Sequence, residues 1–554
     1  MNRRQLLKAA AGLSASALLA DLPLSASDGK TTDVASSGGE ANQTKRRLSI
    51  AEALKPKLHE TAQDPLTLVR PVADDSQFLR WRMEVISPAV ELEKRLLRRG
   101  DSFILDFGGH RTGYLSFLLT GEGVHVDAPT RLRITFGEIP SDVAEPFYPY
   151  SGELSESWLP DEVINIDMLP QHVNMARRHA FRYVKVEVID TSPEFAVRFR
   201  QVQARAVTSA GDQPHQLGAQ VPEALRRIDA VSLATLRDCM QTVFEDGPRR
   251  DQRLWIGDMR LQALTNYVSF RNNDLVKRCL YLFAGLPRAD GLLAACVFEK
   301  PEPIRGGAYI TDYAALYGAA VLDYVRATGD RDTGRDLWPV VHRQLEIIGQ
   351  NVNKDGLFVD PHNMWIFIDW NDTLERTASM HGVLLYGYRQ ALELAQLVGV
   401  EQEASGYSQR IAQMTAAARA AFFDPAQRIF VSGPKRQISW ATQAWLVLAG
   451  VLTQTEGAEA LRNAISAKDA VRPVTPYLYH HVVDAMLTCG MKQEALDLIQ
   501  SYWGGMVQAG ADTFWEVYDP SNPLLSPYKN IHINSYCHAW SCTPTYFLRG
   551  RGLI

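Results

Sequence analysis

Apolar and polar residues alternate with a period of two between about Gln77 and Ala210, and beyond Gln213 the apolar positions recur with a helical period instead. The first region holds short β-branched and aromatic runs broken by Gly, Pro and Asp: Phe103 to Phe107, Tyr114 to Phe117, Leu132 to Phe136, Tyr183 to Val188 and Phe195 to Phe199. Strands of that length and spacing predict a β-sandwich over residues 76–212. The second region, 213–554, predicts about twelve helices, at 222–244, 257–270, 273–283, 309–328, 333–352, 377–398, 403–422, 439–449, 456–465, 475–487, 492–503 and 534–548. Connections from each even helix to the next odd one are short, as in Arg271-Asn272, whereas those from odd to even are long. Six hairpins with their long loops at one end describe an (α/α)6 toroid, whose long loops converge on one cleft. The expected architecture is therefore multidomain, a β-sandwich followed by an (α/α)6 toroid.

The ends of this pattern say less about fold and more about compartment. Residues 1–26 begin Asn2-Arg3-Arg4-Gln5-Leu6-Leu7-Lys8, a twin-arginine start, and continue in an apolar run too short to span a bilayer. They read as an export signal with cleavage near Leu24-Ser25-Ala26, which places the mature chain in the periplasm or outside the cell without stable membrane association. Cleavage removes three basic and one acidic residue and takes the formal charge from -5 to -7, which gives no reason to expect nucleic acid as a partner. Residues 27–75, rich in Ser, Gly and charge and poor in aromatics, predict a disordered linker.

Six cysteines, Cys239, Cys279, Cys296, Cys489, Cys537 and Cys542, form no CxxC pair and have no histidines at metal-ligand spacing. They read mostly as apolar packing residues. No phosphate loop or dinucleotide fingerprint is present, and no metal or cofactor is expected.

The long loops carry the chemistry. Residues 246–258 pack acids, arginines and Trp255 between two apolar helical runs, as Asp246-Gly247-Pro248-Arg249-Arg250-Asp251-Gln252-Arg253-Leu254-Trp255-Ile256-Gly257-Asp258. Carboxylates exchange protons with a glycosidic oxygen, arginines grip carboxylates and hydroxyls by forked hydrogen bonds, and an indole offers a flat face to a sugar ring. Later loops add Arg305 and Asp312, then Trp365 with Asp369-Trp370, and last Thr513-Phe514-Trp515-Glu516 with His532 and His538. Aromatics beside carboxylates on one rim fit a carbohydrate site.

The sandwich-then-toroid order, the 246–258 loop, the Asp369-Trp370 pair and Thr513-Phe514-Trp515-Glu516 resemble bacterial α-L-rhamnosidases of glycoside hydrolase family 78. The resemblance implies a metal-independent inverting hydrolase releasing terminal α-L-rhamnose or a related sugar from a polysaccharide or glycoconjugate. It implies Glu516 as the base that activates water and Asp246, Trp255 and Asp258 as substrate contacts. Where the family's Arg-Asp-Glu-Arg places its general acid, this chain has Arg250-Asp251-Gln252-Arg253, and an amide cannot supply a proton. Either Asp251 or Asp258 replaces it, or the substrate provides the acid, or the protein binds glycans without hydrolysing them. A polysaccharide lyase using Tyr309, Tyr536, His532 or His538 beside Arg249, Arg250, Arg253 and Arg305 is the remaining alternative. The residues expected at the site are thus Glu516, Asp251, Asp258 and Asp246 for proton chemistry, with Arg250, Gln252, Trp255, Asp312, Asp369, Trp370, Trp515 and His538 around the sugar.

Overall fold

The computed structural model describes residues 34–126 and 129–554, so the export signal expected at 1–26 lies outside the described residues. The segment expected to be a disordered linker is ordered over most of its described length. Helix α1 (Val34–Ala53) and strands β1 (His59–Gln63) and β2 (Thr67–Ala73) occupy it. Its composition is too polar to fold alone, but Ala51 is buried, Leu48 and Ile50 pack on the toroid core, and Ala51 O accepts from the buried Arg278 guanidinium. Tertiary docking thus supplies the burial that local composition lacks.

Seven further strands complete the sheet region: β3 (Trp81–Pro88), β4 (Ser102–Gly123), β5 (Thr130–Gly137), β6 (Asp161–Ile166), β7 (Gln171–Asn174), β8 (His179–Asp190) and β9 (Phe195–Thr208). The ladder runs β1-β9-β4-β8-β5-β6, with β2 joining β3 to β4 and β7 pairing with β4. The first part of β4 lies between β2 and β8 and its last part between β7 and β9, with a register shift between Asp106 and Arg111. One long strand therefore crosses from one layer to the other, and the sheet folds over a core of alternate residues such as Phe103, Leu105, Phe117, Ile134, Phe181 and Val197. Beyond β5 the chain makes a short helix, α2 (Pro140–Ala144), and a long excursion before β6.

Eleven helices follow: α3 (Glu223–Cys239), α4 (Ile256–Tyr267), α5 (Asn273–Ala284), α6 (Thr311–Thr328), α7 (Arg331–Gly349), α8 (Thr377–Val398), α9 (Tyr407–Phe422), α10 (Trp440–Leu448), α11 (Gln454–Ser466), α12 (Pro476–Thr488) and α13 (Lys492–Gln508). The even-numbered members are buried along most of their length and pack in sequence, α4 on α6, α6 on α8, α8 on α10 and α10 on α12, as the inner ring. The twelfth helix expected at 534–548 is absent; the chain instead forms 3-10 turns at Ile531–Ile533 and Ala539–Ser541 and a π turn at Tyr546–Gly550. Its amides have other partners. Ser535 N donates to Glu516, Tyr536 N to Glu138, His538 N to Phe514 O and Ala539 N to Asp246 O. Pro544 further removes a donor. This segment still fills the sixth inner place, touching both α4 and α12.

Sandwich and toroid meet along a buried polar seam. His110, on the shifted part of β4, lies between Asp238 of α3 (2.7 Å) and Glu138 (3.0 Å), and Arg249 pairs with Asp142 (2.6 Å) and Glu138 (3.4 Å). Burial alone would raise the Asp142 carboxyl, but Arg249 and His532 overcome it and hold it at about 2. The pair's contribution is therefore complete above the ordinary carboxylate range and is lost as pH falls towards 2. Asp142→Asn, which leaves Arg249 short of a partner, is expected to lower unfolding stability by about 3 kcal/mol at pH 7, with the gap to wild type narrowing below pH 4. Denaturant titrations of both proteins across that range check this; an unchanged stability at pH 7 would contradict it.

Candidate active site

The loop between α3 and α4 closes on itself before it reaches into the cleft. Asp246 N donates to Arg253 O (3.0 Å) and Arg253 N returns a bond to Asp246 Oδ1 (3.1 Å). Leu254–Trp255 then pairs with Cys296–Phe298 in a small antiparallel ladder that fixes the exit from the loop. At the turn, Gln252 adopts a left-handed backbone (φ 52°), and its side-chain amide donates to Pro248 O at 2.8 Å. Gln252 therefore faces its own loop and does not line the cleft, contrary to the expected sugar contact. Asp251, one residue earlier, is the group that does line it.

The last loop approaches from the other side of the ring closure. A Cβ on Gly247 would sit 2.6 Å from Ser535 Oγ and 3.1 Å from Cys537 O, so only glycine permits this approach. Glu516 N donates to Ser535 O (2.9 Å) and its carboxylate accepts from Ser535 N (3.1 Å) and from the Tyr528 hydroxyl. Arg250 joins the two loops. Its Nη2 donates to both Glu516 oxygens (3.1 and 3.2 Å), its Nη1 to Asp251 Oδ1 (3.1 Å) and its Nε to Ile533 O (3.2 Å), while its guanidinium lies 4.3 Å from the Tyr528 ring centroid. With one guanidinium between them, the facing oxygens of Asp251 and Glu516 stand no more than about 9 Å apart.

Asp258 sits near the N-terminus of α4, where Tyr313 donates to it (3.4 Å) and His538 Nε2 lies 3.2 Å away. Burial would push His538 down, but its bond to Asp258 and the nearby Glu516 and Asp246 charges lift it to about 9, so the imidazole is protonated at neutral pH. Burial and the charge of Asp251 push Asp246 well above the carboxylate range. Burial acts upward on Asp251 too, but Arg250, Arg253 and His538 outweigh it and keep Asp251 low. Of the two acids, Asp246 therefore binds a proton more readily than Asp251.

These groups line one cleft. Eight of the residues expected from sequence line it: Asp246, Arg250, Asp251, Trp255, Asp258, Trp370, Glu516 and His538. Three others besides Gln252 do not. Asp312 accepts from Phe367 N (2.8 Å) and Ile368 N (3.1 Å), and Asp369 accepts from Val474 N, Thr475 N and the Thr475 hydroxyl (2.8, 3.0 and 2.6 Å). Both carboxylates brace the aromatic loop from behind. Trp515 is fully buried and stacks on Phe78 at 4.3 Å, filling the second hydrophobic core. The residues drafted for a lyase scatter: Tyr309, Tyr536, His532, Arg249 and Arg305 lie outside the lining, and only His538, Arg250 and Arg253 belong to it.

Sequence reasoning passed over Tyr313, Tyr528 and Trp540 on the toroid side, and Leu154 and Trp158, which come from the sandwich excursion. Tyr528 lies in a Pro-rich, aromatic-poor stretch with no local signal. Sequence spacing also hid one cluster, His110, Asp238 and Cys537, whose ligand-capable atoms lie within 4.8 Å of one another, with Cys239 Sγ 3.8 Å from Cys537 Sγ. It occupies the buried domain seam, where both His110 nitrogens already bond to carboxylates, and takes no part in the cleft.

Residues 65–206 match the glycosyl hydrolase family 78 alpha-rhamnosidase N-terminal domain and residues 222–550 the bacterial alpha-L-rhamnosidase 6 hairpin glycosidase domain. Among solved structures, a rhamnosidase from Klebsiella oxytoca with rhamnose bound is 45% identical with a TM-score of 0.89, covering 92% of this chain and 99% of that one. The family 78 rhamnosidase of Bacillus sp. GL1 (22% identity, TM-score 0.71) covers 85% of this chain and 49% of its own, and the Streptomyces avermitilis α-L-rhamnosidase complexed with L-rhamnose (16%, 0.64) covers 89% and 44%; at those identities they share the fold. A comparison with curated proteins finds no match. Matched in both its domains and built on the same sandwich-and-toroid plan, the chain belongs to the bacterial α-L-rhamnosidases of glycosyl hydrolase family 78 and is a glycoside hydrolase.

Proposed function

We propose that this protein hydrolyses terminal α-L-rhamnosides with inversion, Glu516 activating the water and Asp251 protonating the leaving oxygen. The observation that carries this is the Arg250 fork, which ties two carboxylates to one guanidinium through different nitrogens. Its span of at most about 9 Å is compatible with the separation of roughly 6.5 to 9.5 Å that leaves room for a water beneath the sugar. Water attacks the anomeric carbon as its proton passes to Glu516, the glycosidic C–O bond breaks, and the leaving oxygen takes the proton of the Asp251 carboxyl, which must be loaded with one before each turnover. Asp246, Asp258 and the His538 imidazolium grip hydroxyls, and Trp255 and Trp370 meet the apolar face of the ring. The relative holding rhamnose supports the choice of sugar. Because Gln252 points away from the cleft, its missing carboxyl removes nothing from the reaction, which favours hydrolysis over a binding-only role. The Arg3-Arg4 start supports export through the twin-arginine route and action in the periplasm or medium.

Leaving groups separate the two carboxylates. Asp251→Asn is expected to slow hydrolysis of phenyl α-L-rhamnoside by roughly 10²- to 10⁴-fold and to recover much of that with a dinitrophenyl leaving group, whereas Glu516→Gln is slow with both. Recovery in Asp246→Asn and not in Asp251→Asn would move the acid to Asp246. The His538 charge predicts the alkaline limb: the imidazolium beside Asp258 is present at neutral pH and is lost as pH rises through about 9. The kcat/KM profile of wild type should therefore fall near pH 9, and His538→Gln should be lower and flat there. An identical limb in the variant would exclude His538 as its source.

A further inference from the structure

Trp158 reaches the cleft from the sandwich domain. It ends the 3-10 turn Glu156–Trp158, within the excursion between α2 and β6, and Leu154 of the same excursion also lines the cleft. The excursion is held against the last loop of the toroid: Glu153 N donates to Tyr528 O (2.9 Å), and Phe147, Leu154 and Leu159 bury a small core with Tyr528 and Ile533. Across the cleft lining, the Arg253 guanidinium sits between two rings, 4.2 Å from the Phe298 centroid and 5.5 Å from that of Trp158. Arg253 Nη1 is also 4.0 Å from Asp251 Oδ2. The Trp158–Arg253–Phe298 stack therefore stands beside Asp251.

Position beside the acid has a chemical consequence. A general acid delivers its proton to the bond-breaking oxygen, so whatever surrounds it meets the leaving group and not the rhamnose ring. Trp158 is half-buried, with part of its indole open, whereas Arg253 is buried beneath it. We infer that Trp158, with Leu154, forms a leaving-group subsite for a moiety with one flat apolar face, either an aryl group or the apolar face of a pyranose. The sandwich thereby becomes part of the specificity apparatus. The inference rests on the reading of Asp251 as the acid. It uses a different observation, the ring stack, and a different readout.

The test is the ratio of kcat/KM for phenyl over methyl α-L-rhamnoside, and for a rhamnosyl-glucose disaccharide over the methyl compound. Trp158→Ala is expected to lower at least one ratio about tenfold and Trp158→Phe to restore most of it; the ratio that falls further identifies an aryl or a sugar leaving group. Ratios unchanged in Trp158→Ala would overturn the subsite, as would a matching loss of affinity for free rhamnose by calorimetry, which would put Trp158 at the rhamnose ring. Failure of the Asp251 reading shows separately, as the absence of leaving-group rescue in Asp251→Asn.

Discussion

Arg250 is shared by Glu516, Asp251, Tyr528 and the Ile533 carbonyl, and it is nearly inaccessible to water. Such a cation cannot give up one partner cheaply, because an unpaired buried charge costs several kcal/mol. Its fork therefore fixes two loops, separated by 266 positions in the chain, in one geometry. These loops belong to the first and last hairpins of the toroid, so the cleft lies where the ring closes. The exchange of bonds between Glu516 and Ser535, and the close approach that Gly247 permits, depend on the same closure.

The sandwich supports that closure from behind. Glu138 accepts from Tyr536 N (2.7 Å), Asp142 holds Arg249, the neighbour of Arg250, and Arg249 also donates to His532 O (2.8 Å). Both cleft loops thus lean on carboxylates of the other domain. A site whose side chains must hold their geometry to a fraction of an ångström needs such backing, since loops alone are too soft. The excursion that carries Leu154 and Trp158 extends the same dependence into the cleft lining.

Strands β4, β5, β8 and β9 and eleven of the helices were legible because their apolar periods are long and unbroken. Phe103-Ile104-Leu105 and the run of α8 each bury one face or nearly every face. The segment 534–548 has helical spacing too, but its amides bond to Glu516 in the preceding loop and to Glu138 and Asp246, residues hundreds of positions away. Helix α1 misled in the opposite direction, since its polar composition hides a docking face of Leu48, Ile50 and Ala51. At the site, residue type picked out eight residues that line the cleft, yet direction was illegible. Gln252 and Asp251 differ by one position, and the left-handed turn at Gln252 decides which faces the cleft. Asp312, Asp369 and Trp515 have the chemistry of a sugar site but serve backbone amides and a core instead.

The central claim is that the Arg250-bridged carboxylates act on a water placed between Glu516 and the sugar. The stereochemistry of the first product tests it most directly. Proton NMR of phenyl α-L-rhamnoside during the first turnovers, before mutarotation, should show β-L-rhamnose appearing ahead of the α anomer. Initial release of α-L-rhamnose would mean net retention, and Glu516 would then have to attack the sugar itself, which contradicts the account.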